Sequence, residues 1–248
     1  MTDLSKVPIE PQEFIEFLKK EIQLKPISQK ILHQKVVERA AQDREITVPE
    51  EEVQEESDRF RRDNRLEKAE DTLAWLEAQM ISPEDWERGI RDRLLQKKLA
   101  AALFDKDVDK YFAENRLDFQ KVLLYQIIVP SEEVARELFY QIEEREISFY
   151  EAAHFYDIDE RRRVLCGCEG KVPRSSLPPE IAAAIFRVSI GDIVGPVKTE
   201  AGYHLLLVEE LIQPELTSEI RQQIIDRMFA QWLETEVNYM IHNELEAS

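Results

Sequence analysis

Few residues in this 248-residue chain have types and spacing suited to chemistry. Its four histidines stand at 33, 154, 204 and 242, and its two cysteines at 166 and 168. A tetrahedral metal site built on the cysteines would need two further soft ligands, and the scattered histidines do not supply them, so no metal and no organic cofactor is expected. Two positions apart, Cys166 and Cys168 suit one strand and read as reduced thiols, because a bridge over so short a loop is geometrically unfavourable. His33, His154 and His242 fall on helical patterns as ordinary surface residues. His204 differs, following the turn Thr199-Glu200-Ala201-Gly202 and leading into the apolar run Leu205-Leu206-Leu207-Val208. A neutral imidazole there offers one donor and one acceptor, either to its own strand neighbours or to a ligand. Asp157-Ile158-Asp159-Glu160 reads as a charged loop, and the run Arg161-Arg162-Arg163 as solvating it and not as an anion site.

Charge narrows the partners. A net charge of -18 repels phosphate backbones, so nucleic acid is not an expected partner. No stretch approaches the ~20 apolar residues of a membrane span. The start Met1-Thr2-Asp3-Leu4-Ser5 lacks a basic region followed by an apolar one, so the expected location is cytoplasmic.

The elements that must position His204 come in two kinds. Apolar residues at helical spacing predict a helix from Pro11 to Ile22 with Phe14, Ile15, Phe17 and Leu18 inward, and a second from Ser28 to Arg44. Thr47-Val48-Pro49-Glu50 reads as a capping box, and Ser82-Pro83-Glu84-Asp85 opens a helix through Trp86, Ile90 and Leu99. Residues 1–117 therefore give about six helices without a strand signal, and Trp75, Trp86 and Trp232 either pack this helical module or, if exposed on a concave face, form a client-binding surface. At Val122 the pattern changes to a continuous β-branched and apolar run ending at Pro130. Helices after Ser131 and around Phe149–Tyr156, a strand at Val164–Cys168, a helix from Pro179 to Phe186 and strands at Ile193–Val197 and Tyr203–Val208 complete a β-α-α-β-α-β-β order. A last helix from Thr217, rich in Ile, Phe, Met and Trp232, must bury its stripe, and the N-terminal helices are the nearest partner. The fold class is α+β: a helical module of residues 1–117 and 213–248, and a small sheet domain, residues 118–212, inserted within it.

The stretch Val194-Gly195-Pro196-Val197 followed by Thr199-Glu200-Ala201-Gly202-Tyr203-His204 resembles the end of a parvulin-type (PpiC, rotamase) prolyl isomerase domain, with its G-P-V strand and T-x-x-G-Y-H turn. The segments Val48-Pro49-Glu50-Glu51-Glu52-Val53 and Met80-Ile81-Ser82-Pro83-Glu84-Asp85-Trp86 resemble the N-terminal helical region of SurA-like chaperones. The parvulin resemblance implies a proline pocket lined by Leu177, Ile181 and Phe186, with His204 as the second of the family's two histidines. It puts Asp159, or Asp157 two positions earlier, in the family's Cys/Asp place. Gln126 stands where the first histidine belongs, and Cys166-Gly167-Cys168-Glu169-Gly170 replaces the family's G-G-D-L-G strand.

Isomerising a prolyl bond breaks no covalent bond; it twists an imide over a barrier of ~18–20 kcal/mol. A catalyst must seat the ring, exclude water and hydrogen-bond the twisted form better than the planar one. Glutamine exchanges hydrogen bonds but does not titrate near neutrality, so the network is partial. Two readings follow for the chain: a folding factor that isomerises proline-containing, unfolded or exported polypeptides with weakened catalysis, or a non-catalytic chaperone or maturation partner that hands a peptide to export or processing machinery. A third is a scaffold that docks through its acidic helices.

Overall fold

The computed structural model describes residues 9–246. The chain divides into two compact units, Met1–Val108 with Ser218–Ser248, and Asp109–Thr217.

The first unit contains α1 (Pro11–Lys20), α2 (Leu24–Gln42), α3 (Glu50–Asp63), α4 (Ala69–Ala78), α5 (Pro83–Phe104) and the long α11 (Ser218–Glu246). Its core is built from Val36, Val37 and Ala40 of α2, Val53 of α3, Ile90 and Leu99 of α5, and Ile224, Phe229 and Leu233 of α11. Helix α11 lies against α2 and α5. The Phe104 and Phe229 rings meet at 6.5 Å, and Arg221 donates to the Asp105 carboxylate at 3.0 Å. Phe60 gathers Trp75 and Trp86 at centroid distances of 5.2 and 5.7 Å, so these tryptophans serve packing.

Three local expectations need correction here. Helix α1 has no buried residue, and Phe14, Phe17 and Ile22 stay exposed, because α1 packs only along part of one face on α2. Helix α2 begins at Leu24, before Pro26, since a proline in a first turn lacks only an N–H that has no intrahelical acceptor. At α3 the N-cap is Pro49 with no side-chain hydrogen bond, so Thr47 caps nothing; Glu50, Glu51 and Glu52 complement the helix N-terminus by charge instead. Ser82 does cap α5, accepting from the Asp85 N–H at 3.1 Å.

The second unit opens within α6 (Val108–Glu114). It contains β1 (Lys121–Val129), α7 (Glu132–Glu143), α8 (Phe149–Tyr156), α9 (Glu160–Val164), β2 (Cys168–Pro173), α10 (Pro179–Ile185), β3 (Ile193–Thr199) and β4 (Gly202–Ile212). All pairings are antiparallel in the order β2-β1-β4-β3. The unit begins at Asp109 where the sequence placed the boundary near 117, and the Phe112 ring sits 5.4 Å from Phe119.

Strand alternation sorts the two faces. Ile127, Val129, Leu205 and Leu207 meet Ala135, Leu138, Phe149 and Ala153 of α7 and α8. On the other face Val122, Leu124, Leu206 and Val208 meet Ile181 and Ile185 of α10. His204 and Gln126, two positions from Leu206 and Leu124, belong to this second face.

The strand expected at Val164–Cys168 is a turn instead. Asp159 caps the short α9, so Val164 ends a helix; Cys166 and Gly167 take positive φ (49° and 87°), and β2 starts only at Cys168. The two cysteines are free and do not share a strand. Gly195 explains its own place in the G-P-V motif: at φ +138° its Cβ would lie 2.5 Å from the His204 carbonyl oxygen, so only glycine lets β3 approach β4 beside the histidine.

Candidate functional site

Register brings the polar pair together. His204 pairs with Ile128 on β1 and Val197 on β3, and lies diagonal to Gln126, within reach of a long side chain on the same face. Its Nδ1 sits 3.3 Å from Gln126 Oε1 and its Nε2 sits 2.6 Å from Thr199 Oγ1, while Thr199 Oγ1 also accepts from the Ala201 N–H at 3.1 Å. Only 5% of His204 is exposed. Burial first, and the nearby Arg162 guanidinium second, push its pKa below the usual imidazole value, with Asp157 opposing; the ring is held neutral.

The support under Gln126 comes from the loop after α8. Strand β2 pairs with β1 only as far as Tyr125, opposite Cys168. Beyond that point β1 is completed by irregular chain: Gln126 N–H donates to the Gly167 carbonyl at 2.8 Å, and Ile158 N–H donates to the Ile128 carbonyl at 3.0 Å. Gly167 is required here, since a Cβ would stand 2.9 Å from the Gln126 carbonyl oxygen. The Ile128 N–H, which has no strand partner, donates to Asp157 Oδ2 at 3.0 Å. That carboxylate also accepts from Arg162 Nε at 2.7 Å, Arg162 Nη2 at 3.1 Å and the Asp159 N–H at 2.7 Å. Four donors saturate its lone pairs, and its side chain is 0% exposed. Arg162 then passes Nη1 to Glu169 at 3.0 Å, and Glu169 accepts from Gln126 Nε2 at 2.6 Å.

These contacts settle where each expected residue stands. His204 and Gln126 are joined. Asp159 is not part of the network through its side chain; it is an exposed N-cap accepting from the Arg162 N–H at 2.8 Å, and Asp157 is the inward carboxylate. The arginine run is not simply a solvated loop, because the Arg162 side chain is only 15% exposed. Ile181 is 2% exposed and therefore belongs to the core beneath the cleft, not to a contact surface. Leu177 and Phe186 are half-buried against the same cluster, and the Arg174 guanidinium lies 4.4 Å from the Phe186 ring centroid. Asp157 was the alternative to Asp159 in the Cys/Asp place, whereas no role was given beforehand to Thr199, Glu169 or Arg162. Thr199 lay within the T-x-x-G-Y-H turn; Arg162 and Glu169 join across the fold, and only an Asp five positions before an Arg hinted at it. Among the described residues no group of three or more His, Cys, Asp or Glu side chains converges as for a metal, and no helix is long and apolar enough to cross a membrane.

Residues 129–210 match the rotamase, PPIC-type PPIASE domain. The chain carries a parvulin-type rotamase domain. It is related to the foldase protein PrsA of Halalkalibacterium halodurans, 28% identical over 228 residues, covering 89% of this chain and 67% of that protein. The PrsA of Caldanaerobacter subterraneus is also 28% identical, over 204 residues, covering 80% of this chain and 59% of the relative. This chain thus spans roughly three-fifths to two-thirds of these relatives' length. The crystal structure of peptidylprolyl isomerase PrsA from Bacillus cereus shares the fold at a TM-score of 0.52 and 18% identity, covering 98% of this chain and 91% of that one. This likeness shows an α+β fold that comprises a helical N-terminal region and a rotamase domain.

Two outcomes follow for the rotamase domain. Because the folded-state pKa of His204 lies below the ordinary value of ~6.5, the unfolded chain binds the extra proton. The histidine's contribution to stability is therefore complete above that value and declines as pH falls beneath it. An NMR titration should give a His204 midpoint below ~6.5, and a midpoint at or above it contradicts the assigned environment. Arg162→Met should cost about 3–5 kcal/mol in urea unfolding by leaving Asp157 buried and unpaired, and Asp157→Asn in the same chain should recover part of that loss. A single variant as stable as the parent contradicts the role given to the pair.

Proposed function

We infer that the chain binds unfolded, proline-containing polypeptide on the α10 face of its sheet and isomerises prolyl bonds there at a reduced rate. One observation carries this reading: the hydrogen-bonded pair His204–Gln126 shares a sheet face with the half-buried apolar side chains Leu177 and Phe186. An apolar seat beside a dry, neutral donor–acceptor pair is what imide rotation needs. As the imide twists, conjugation is lost; the carbonyl oxygen and the pyramidalising nitrogen change in hydrogen-bonding character, and fixed neighbours that suit the twisted form lower the barrier. Glutamine in place of an imidazole keeps one such neighbour but fixes its protonation, which accounts for the reduced rate. The PrsA relatives are named as foldases, and that name supports polypeptide as the substrate class.

A second reading, a holdase that shields clients without catalysis, is favoured by the exposed apolar residues Phe14, Phe17 and Ile22 in and beside α1, at 53%, 61% and 83% exposure. A protease-coupled prolyl-peptide assay separates the two. The isomerase reading expects the parent above the uncatalysed rate, His204→Ala about tenfold lower in kcat/KM, and Gln126→His raised. Equal, uncatalysed rates in all three chains reject it and leave the holdase.

A further inference from the structure

The hydrogen bonds around His204 form a chain with only one consistent direction, and its direction is set by Glu169 on β2. An amide side chain has two sides of nearly equal shape, so Gln126 alone could present either its oxygen or its NH2 to His204. Glu169 removes that freedom. An ionised carboxylate only accepts, so the group 2.6 Å from it must be the Gln126 NH2, and Gln126 Oε1 must therefore face the ring. His204 Nδ1, 3.3 Å from that oxygen, then has to carry the hydrogen. Its Nε2 is left as an acceptor, and the partner 2.6 Å away, the Thr199 hydroxyl, has to donate. Thr199 Oγ1 can do so because the Ala201 N–H occupies it as an acceptor. Donation thus runs Ala201, Thr199, His204, Gln126, Glu169, every link polarising the next in the same sense.

At the far end Glu169 is held by Arg162, which is itself fixed by the buried Asp157. Glu169 keeps about a third of its side chain exposed, at 32%, so without that guanidinium it would be free to turn into solvent. We propose that Glu169, anchored by Arg162, is a positioning residue that locks Gln126 and through it holds His204 as the Nδ1–H tautomer. The assignment of a catalytic consequence rests on the isomerase reading above; the tautomer itself does not. With the lock in place the Thr199 proton is committed to His204. Without it the amide can turn over, His204 can donate from Nε2, and the Thr199 hydroxyl is released to other acceptors.

Two readouts on the full chain test this. Long-range 1H–15N spectra of the imidazole rings, recorded above pH 7.5 and with His204 assigned by its loss in His204→Ala, report the tautomer. The expected result is a single Nδ1–H form in the parent, a mixture or an Nε2–H form in Glu169→Ala and Glu169→Gln, and return of the parent pattern in Glu169→Asp. Thermal unfolding of the three variants checks that the fold persists. The same variants in the prolyl-peptide assay should lose about three- to tenfold in kcat/KM, with Glu169→Asp largely restored. If the tautomer moves while no chain exceeds the uncatalysed rate, the positioning role stands and the isomerase reading falls. An Nε2–H parent, or an Nδ1–H signal unmoved in Glu169→Ala, overturns the proposal whatever the rates show.

Discussion

The sheet unit depends on one buried carboxylate. Strand β1 runs four residues past the end of its pairing with β2, and those residues would otherwise present bare backbone beside the cleft. Asp157 meets this need with side-chain atoms: it accepts the Ile128 N–H that no strand reaches, and the Arg162 guanidinium balances its charge. Removing Arg162 leaves the Asp157 charge buried without a counter-ion, because that carboxylate has no solvent contact, whereas Arg162 keeps Glu169 as a partner. The same arginine reaches outward to Glu169, so the contact that finishes the sheet also fixes the floor of the polar pair.

That coupling bears on how the site holds together without a second imidazole. The resemblance read from the sequence implied a network with two histidines. Here a neutral, buried His204 faces a non-titrating amide, and the nearest charges are a guanidinium and two carboxylates on the loop and on β2. The chemistry left to the site is hydrogen-bond exchange and water exclusion, with no proton transfer required. For a reaction that only twists an imide, such a site remains useful, though with fewer adjustable parts.

Much of this was written locally. The Val122–Val129 run, the G-P-V strand and the Gly202-Tyr203-His204 turn announce their strands through β-branched content and glycine placement, and they fix His204 without reference to anything distant. Ser82 likewise announces α5. What escaped was decided elsewhere in the chain. The stretch from Val164 to Cys168 looks like a strand by residue type, yet the Asp159 cap and the salt-bridged Arg162 hold the segment before it helical, and the chain reverses at Cys166 and Gly167. Ile181 carries the pattern of a pocket residue but lies under the sheet's apolar face, because α10 turns it inward with Ile185. In the helical unit α1 has the periodicity of a packed helix and remains exposed, since a stripe records the capacity to bury a face and not the presence of a partner.

The central claim is that a proline-containing segment is received on the α10 face of the sheet. Its most direct test is an NMR titration of the full chain with a short unstructured peptide containing proline, run beside the same peptide with alanine in its place. Shifts that concentrate at Leu177, Phe186 and His204 and depend on the proline are the predicted result. Shifts confined to the exposed residues of α1, or equal for both peptides, would contradict it.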